Sequence, residues 1–567
     1  MKMVLHSIYR SMFVSLFALA LGACGGGGGG ESSPAAPQIP APTPSPTPSP
    51  TPSPDPPSGE IDISLAEGAR FLRQASFGPA EGDVVSLQTT GYESWIDNQM
   101  NAPASSQLQH LSALPPPENG AEGRRNRLEA FFKYALENDD QLRQRMAFAL
   151  SEIMVVSDQG ALANRAGGLA SYYDMLSEHA FGNFRDLIGA VTLHPAMGVY
   201  LSMLGNEKPD AARNIRPDEN YARESLQLFT IGTVELNLDG TPRLDNAGQL
   251  IPTYDQTVIE GFAHVYTGWT FGGSVRFNRP SRDYLVPMQA FSSFHDTSEK
   301  KLLNGVVIPA GQTPEQDLTD ALDNIFAHQN VAPFISRRLI QRFISANPSP
   351  SYVERVATVF NDNGFGVRGD LGAVIKAILL DVEARTPVAG GIGGKLVEPL
   401  LRLVSLWRAF DASAPNGRYI YPQPNNDFGQ APLRSPSVFN FFSPDYAPAG
   451  ELSDQGLVSP EMQITNETTT ASVNDYLALS IYIRNSNATT LGNQAIRIDI
   501  APYLALSGDP EVLLQRMAEK LTGGVISSEL EAEALAMINT IPQDQPAFRV
   551  TEAIHQIVSS VEYALIE

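Results

Sequence analysis

Polar residues within Arg216–Phe229 have the types and spacing that acid/base chemistry requires. Asp218 is predicted to cap a helix here, because apolar residues recur at helical spacing after it. The opposite helix face would carry one continuous polar stripe: Glu219, Asn220, Arg223, Glu224 and Gln227. On this face Glu219 or Glu224 could act as a general acid or base that Arg223 orients. The alternative interpretation is a solvated helix face or a buried ion-pair network.

Histidines provide the second group of candidate residues. Five of the eight lie in dense, distinctive stretches: His179, His194, His264, His295 and His328. For each of them a structural role is the alternative; His194, for example, precedes Pro195 at a predicted helix start, where an imidazole commonly caps the helix. A hydrolase built from these groups would bring six side chains into one pocket: Glu178, His179, His194, Glu219, Arg223 and Glu224. A metal site made of the same histidines is a variant of this hypothesis.

The sequence contains no complete motif for a cofactor or a metal. It has no HExxH zinc helix, no GxSxG turn and no Cys/His cluster. Its single cysteine also excludes an internal disulfide framework. We therefore expect no cofactor and no metal site.

Arg337, Arg338 and Arg342 form a basic cluster on a predicted helix of an otherwise acidic chain. Arg338 and Arg342 are four residues apart, so their charges repel each other unless an anion lies between them. A carboxylate from elsewhere in the protein is favoured as that anion over a bound phosphate or sulfate.

Helices are the elements that must position these residues. Apolar residues recur at helical spacing in stretches that begin at Leu142, Phe184, Leu318, Leu371 and Leu396. The fourth stretch is predicted to continue to Val382, with Asp370 as its cap. Turn sequences within Val234–Tyr254 predict a small β-hairpin. The fold class expected for residues 60–567 is therefore mainly α: one large multi-helix domain with long loops and this small β-hairpin element.

The charge balance limits the partners. The 567 residues include 39 Lys plus Arg and 62 Asp plus Glu, which gives a formal net charge of −23. The first 59 residues contain equal numbers of each sign, so the net charge belongs to the domain that follows. An acidic domain of this kind is not expected to bind nucleic acid.

The N-terminus resembles a bacterial lipoprotein signal. Lys2 and Arg10 precede a short apolar run, Met12–Leu21, and small residues lead to Cys24. The expected signal peptide is 1–23, with Cys24 as the lipid attachment residue; an ordinary cleaved signal is the alternative. Two or three acyl chains would anchor the protein to a membrane. Gly25 follows the cysteine, and by resemblance to known sorting signals this favours the outer membrane as the location of an exported protein.

A linker is predicted for residues 24–59. Six glycines follow Cys24, and Glu31–Gly59 contains 12 prolines. Such a low-complexity segment cannot bury a core, and it would act as a semi-rigid spacer between the lipid and the domain.

Several long motifs together resemble the bacterial domain-of-unknown-function family numbered 1800. In chain order they are Ala69–Pro79, Ala147–Glu152, Tyr172–Asp186, Thr192–Met197, Arg216–Gly232, Tyr266–Trp269, His295-Asp296 and Ser435–Phe442. The resemblance covers nearly all of residues 65–565. It implies a helical envelope protein, often encoded beside a secreted partner, and it implies no catalytic residue.

Two functions follow as expectations. The first is an uncharacterised cell-envelope lipoprotein whose domain is a binding or assembly module for a secreted partner. The alternative is an envelope hydrolase that uses the 216–227 helix and the nearby histidines.

Overall fold

Amphipathic helices form most of the structure, as the apolar periodicity predicts. The computed structural model describes residues 62–386, 394–482 and 495–566, which belong to one unit, Glu60–Glu567. The predicted signal, Cys24 and the predicted linker lie outside the described residues. The prediction of a mainly α fold with small β elements is confirmed.

Among the described residues, the first twelve α-helices are α1 Leu65–Ala75, α2 Asp83–Thr90, α3 Tyr92–Asn101, α4 Gln107–Ala113, α5 Gly120–Glu137, α6 Gln141–Ile153, α7 Ala166–Glu178, α8 Phe184–Leu193, α9 Pro195–Tyr200, α10 Asn220–Gln227, α11 Gln256–Val265 and α12 Pro314–Ala327.

The remaining helices are α13 Val331–Phe343, α14 Pro350–Asn361, α15 Leu371–Leu380, α16 Val382–Arg385, α17 Pro399–Ala409, α18 Pro424–Phe428, α19 Glu451–Asp454, α20 Glu467–Tyr482, α21 Pro510–Thr522, α22 Ser528–Thr540, α23 Pro546–Val558 and α24 Val561–Ala564. Six two-residue strands pair antiparallel as β1 Trp269–Thr270 with β2 Gln289–Ala290, β3 Lys300–Lys301 with β4 Val307–Ile308, and β5 Lys395–Leu396 with β6 Leu565–Ile566.

Caps visible in the sequence start several of these helices. The side chain of Asn183 accepts the backbone N–H of Arg185 at the start of α8. Thr313 and Gln316 form a capping box at α12, with Pro314 in the first turn. Each cap satisfies backbone donors that the helix itself leaves free, which fixes where the helix begins.

Two predicted helix boundaries are wrong. The stretch capped by Asp370 ends at Leu380, and Val382 lies in the separate short helix α16 with 67% of its surface exposed. The interruption occurs at Asp381, whose side chain caps α16. Leu396 does not belong to a helix either: it pairs with Leu565 in β5–β6, and α17 begins at Pro399. Leu396 is in a strand because it pairs with a strand at the far end of the chain. The local spacing of apolar residues does not reveal this long-range pairing.

The segment predicted as a β-hairpin, 234–254, runs back and forth with two tight turns. Isolated antiparallel bridges, rather than continuous strands, join its three arms: Val234 with Pro252, Leu236 with Pro242, and Leu244 with Leu250. Gly240 and Gly248 occupy the two turns with positive φ, as the turn sequences require. The first arm is held against the start of α13, because the N-cap residue Asn330 accepts the N–H of Leu236 and donates to the carbonyl of Val234.

One continuous apolar core joins the helices. Helix α13 packs against α6, α14 and α15, and α10 packs against α11. This packing brings the C-terminal ends of α6 and α10 towards α13, and the loop after α18 covers the space between them. Among the described residues, no helix is both long and apolar enough to cross a membrane.

Candidate ligand-binding site

A pocket of about 400 Å³ opens between α6, α13 and two loops. Its wall is formed by the end of α6, the segment Gln227–Gly240, the basic cluster of α13 and the loop Val438–Asp445. Ligand sites commonly have this volume and combine apolar walls with a few polar groups. Nine of the residues that line the pocket have large apolar side chains: Ile153, Leu228, Ile231, Val234, Leu236, Phe334, Val438, Phe439 and Phe442.

Three guanidinium groups of α13 line one side of the pocket. Both Nη atoms of Arg338 donate to Asp445, at 3.3 and 3.1 Å. The Nη1 of Arg342 lies 3.3 Å from Glu152 Oε2, and its Cζ lies 4.7 Å from the ring centroid of Phe442. Arg338 and Arg342 therefore each contact a carboxyl group of the protein, but each contacts a different one.

Arg337 differs from its two neighbours. Its Nε is buried and has no hydrogen-bond partner, and no ion pair of Arg337 is found within the described ranges. A buried donor without a partner is costly, so this group is available for an acceptor that enters the pocket.

The loop opposite α13 is held by a buried ion-pair network centred on Asp158. The Asp158 carboxylate pairs with Arg127 at 2.9 Å and also with Arg434, and its backbone N–H donates to Leu433 O. Arg127 also donates to Pro432 O, and both Arg127 and Asp158 are 1% exposed. The network fixes residues 432–435, and the chain continues from there to the pocket wall.

Asn440 lies in that loop with a left-handed backbone, at φ 67°. Asparagine tolerates this region better than most residues. Asn440 is 6% exposed, and its Nδ2 has no hydrogen-bond partner among the residues that the structure describes. It is the second unsatisfied donor in the wall of the pocket, after Arg337.

Two buried carboxyl groups lie at the floor. Gln430 Nε2 donates to Glu152 Oε1 at 3.0 Å and also to Glu398. Burial raises the pKa of Glu152 to about 8; Arg342 opposes the rise and Glu398 adds to it. The pKa of Glu398 is lowered, because the nearby cations, Lys395 first, outweigh its burial. These opposite directions favour a proton on Glu152 and a negative charge on Glu398.

Cations behind the floor balance the remaining carboxylates. Lys395 Nζ lies 3.0 Å from Glu461 and donates to the carbonyls of Gln341 and Arg342. Arg145 donates to Arg342 O at 2.7 Å. These contacts attach the end of α13 to β5 and α6, which makes the basic side of the pocket rigid.

The predicted polar stripe divides between two environments. Arg223 and Glu219 form the expected ion pair at 2.9 Å, with side chains 41% and 35% exposed. Asp218 does not cap α10 as predicted: Glu219 occupies the N-cap, and Asp218 accepts the N–H of Asn220 at 2.8 Å. Because the Arg223–Glu219 ion pair faces solvent, it contributes little to the free energy of unfolding.

Glu224 lies on the inner side of the same helix. It is 7% exposed, its Oε2 has no hydrogen-bond partner, and burial raises its pKa against the charge of Arg223. One turn further along, Gln227 reaches the pocket wall. The end of the stripe, rather than its middle, therefore meets the pocket.

The other predicted catalytic residues occupy different places around α7. His194 is buried, accepts the N–H of Ala196 as a cap of α9 and lies 3.4 Å from Ser171. Glu178 is exposed at the last residue of α7, and His179 follows as its C-cap. Ser171 and His179 are eight residues apart, roughly 12 Å along a helix axis. The structure therefore brings Glu219 and Arg223 together but places His194 apart from His179.

The remaining motif histidines stabilise buried structure. His295 and Lys300 both contact Asp317, at 2.8 and 2.7 Å, in a fully buried cluster. His264 pairs with Asp296. His328 Nδ1 accepts the N–H of Asn330, and burial lowers the pKa of His328 to about 4. We therefore assign these three histidines structural roles.

Sequence reasoning singled out the arginines but not Glu152 or Asn440 as pocket residues. Both lie in stretches that carried the family resemblance, Ala147–Glu152 and Ser435–Phe442. A buried glutamate in the apolar stripe of α6 was the available signal, since carboxylates are rarely buried without a partner. In the described part of the chain, no group of three or more His, Cys, Asp and Glu residues is arranged to hold a metal ion.

Comparisons with known proteins agree with the resemblance seen in the motifs. The sequence profile of a family described as "Protein of unknown function (DUF1800)" matches residues 70–565. Neither a search of curated proteins nor a search of solved structures found a match. Because the matched region is nearly the whole helical domain, the chain belongs to the DUF1800 family.

Proposed function

We propose that the protein is an exported lipoprotein, anchored through Cys24 to the cell envelope, and that its helical domain is a binding module for a secreted partner. The N-terminal sequence supports the anchor: an apolar run and small residues precede Cys24, and a proline-rich segment follows it. The proposed location is the outer membrane, because the residue that follows the cysteine is Gly25 and not an aspartate.

The observation that carries the binding function is the 400 Å³ pocket and its unsatisfied donors. Its wall joins apolar side chains to guanidinium groups, a combination common at sites of molecular recognition.

Site-specific photocrosslinking in the full-length protein tests the binding function. Phe439 lines the pocket and is 56% exposed, so a photoreactive phenylalanine analogue at that position would contact a bound partner. Phe365 is 89% exposed and lies outside the pocket wall, which makes it the matched control. We expect one identified envelope protein crosslinked at position 439 and not at 365. Equal labelling at both positions would contradict the proposal.

The lipid anchor has its own test. Cys24→Ser removes the proposed attachment thiol with little change in size. We expect the wild-type protein in the membrane fraction and the variant in the soluble periplasmic or culture fraction. A variant that stays with the membrane would show that another segment anchors the protein.

An envelope hydrolase is the second candidate, and Glu224 is the observation that favours it. Its raised pKa and free Oε2 are properties of a general acid, and Glu152 has a raised pKa at the pocket floor. Turnover of chromogenic ester or glycoside substrates that is lost in Glu224→Gln, but kept in the exposed-site variant Glu178→Gln, would establish this function. Absence of turnover in the wild type would remove it.

A further inference from the structure

Resting on the proposed binding function, we propose that the pocket receives a carboxylate group, bound by Arg337 and Asn440, whose apolar body packs against the pocket wall. This names the chemical class of ligand for the site and the two side chains that select it.

The unsatisfied donors define what must enter. The Nε of Arg337 and the Nδ2 of Asn440 are both buried without a hydrogen-bond partner, and both residues line the pocket. Arg337 has five N–H groups and no acceptor, and the amide of Asn440 offers two more N–H groups. A ligand with acceptor oxygens would satisfy both donors and remove the cost of leaving them unpaired.

The charge of the wall indicates an anion. Two of the three guanidinium groups already have a charged partner: Arg338 pairs with Asp445, and Arg342, which contacts the protonated form of Glu152, has Glu398 as its charged neighbour. Among the described residues that line the pocket, Arg337 is the guanidinium without an ion pair of its own. The chain has a formal charge of −23, so a basic pocket in it is a local exception that attracts a negative group.

The same charges favour a carboxylate over a phosphate. One uncompensated guanidinium matches a single negative charge, whereas a phosphate dianion would meet Asp445 without a second free cation. A planar guanidinium also matches a planar carboxylate. The wall around these groups is apolar, with Leu228, Ile231 and Val438 among its residues. A carboxylate attached to an apolar group therefore suits both parts of the pocket.

A carboxylate of this kind can come from the end of a peptide chain or from a free organic acid. Calorimetric titration of the full-length protein with N-acetyl-phenylalanine and with hexanoate represents the two sources. We expect at least one acid to bind. N-acetyl-phenylalanine amide, which lacks the charge, and inorganic phosphate serve as the comparison probes. Tighter binding of phosphate than of either acid, or equal binding of the amide, would overturn the proposal.

Two pocket variants and one control test the assigned residues. Arg337→Leu removes the free cation, and Asn440→Asp keeps a residue that tolerates φ 67° while placing a negative charge against the ligand. Each should weaken acid binding by roughly tenfold or more. Arg276→Leu removes an exposed arginine outside the pocket wall and should leave binding unchanged.

Melting curves recorded by circular dichroism show whether each variant is folded, and the two pocket variants provide independent readings. Wild-type acid binding in both folded pocket variants would overturn the assignment. The outcome is separable from the proposed function: crosslinking at position 439 without acid binding would leave the partner function and remove the carboxylate proposal. Acid binding without crosslinking at position 439 would leave the carboxylate proposal and remove the partner function.

Discussion

The Nη1 of Arg342 lies 3.3 Å from the Oε2 of Glu152, and their side chains are only 7% and 1% exposed. This contact joins α13 to α6 at the floor of the pocket. Because Glu152 also has Glu398 and Arg145 as charged neighbours, with Lys395 beside Glu398, its protonation state affects the stability of the floor. A change that fixes the charge of Glu152 should therefore alter how the stability of the protein depends on pH.

Glu152→Gln should change how stability depends on pH. The pKa of Glu152 is about 8 in the folded protein because of burial, against an ordinary value near 4.5. The stabilisation from this proton is fully present below pH 4.5 and is lost as pH rises towards and through 8, so the free energy of unfolding falls over that window. Glutamine resembles the protonated side chain, so urea denaturation between pH 5 and pH 9 should show a flatter profile for the variant.

Glu178→Gln is the control for this experiment, because Glu178 is exposed and lies outside the pocket. It should retain the wild-type profile. An unchanged pH profile in Glu152→Gln would show that Glu152 is not the group that holds the proton.

Asp158→Asn should be strongly destabilising. Asp158 is 1% exposed and pairs with both Arg127 and Arg434, so its loss leaves a buried guanidinium uncompensated. Removing one partner of a buried pair costs about 3–5 kcal/mol of unfolding free energy. Asp210→Asn removes one partner of the exposed Arg213, which also pairs with Glu207, and should change the free energy of unfolding very little. Equal losses in the two variants, measured by urea denaturation, would contradict the structural role of Asp158.

His194→Asn should reduce the loss of stability in acid. Burial lowers the pKa of His194 to about 4, whereas an unfolded histidine titrates near 6.5. The folded protein therefore binds the proton less well, and stability is lost as pH falls from 6.5 to 4. Asparagine retains a cap acceptor for the N–H of Ala196 but has no proton to gain.

The comparison of wild type and His194→Asn at pH 7 and pH 5 by urea denaturation measures this effect. The difference in unfolding free energy between the two pH values should shrink by on the order of 1–2 kcal/mol. His110→Asn is the comparison variant: burial also lowers the pKa of His110, but that ring is only partly buried, so its variant should show a smaller change of the same sign. An acid loss of the same size in His194→Asn would mean that other groups dominate it.

Gly240→Ala should distort the pocket turn. Gly240 has φ 77°, and an added Cβ would lie 3.0 Å from Val353 Cγ1. Gly248 has nearly the same φ, 76°, but no atom within 4 Å of the added Cβ. Gly248→Ala therefore measures backbone strain alone, about 1 kcal/mol. Gly240→Ala should lose more and should also weaken ligand binding; equal losses would show that Val353 moves aside without cost.

The helical elements were largely readable from sequence because their signals are local. The caps at Asn183 and Thr313 and the apolar stripe of α6 depend on residues within one or two turns, and the structure contains each of them. Leu396 was misassigned because its partner, Leu565, lies at the other end of the chain. The arginine cluster was visible for the same local reason, since its three residues lie on one helix.

The amino-acid sequence by itself determined the helix-rich class, the acidic charge and the family. It also showed that Cys24 is the single cysteine and follows a short apolar run. Only the tertiary structure decided which polar residues meet. It placed Glu152 against Arg342 and Glu398, it left Arg337 Nε and Asn440 Nδ2 in one pocket without hydrogen-bond partners among the described residues, and it separated His194 from His179. These relationships depend on side chains from distant segments and on burial, which changes both proton affinity and the cost of an unpaired donor.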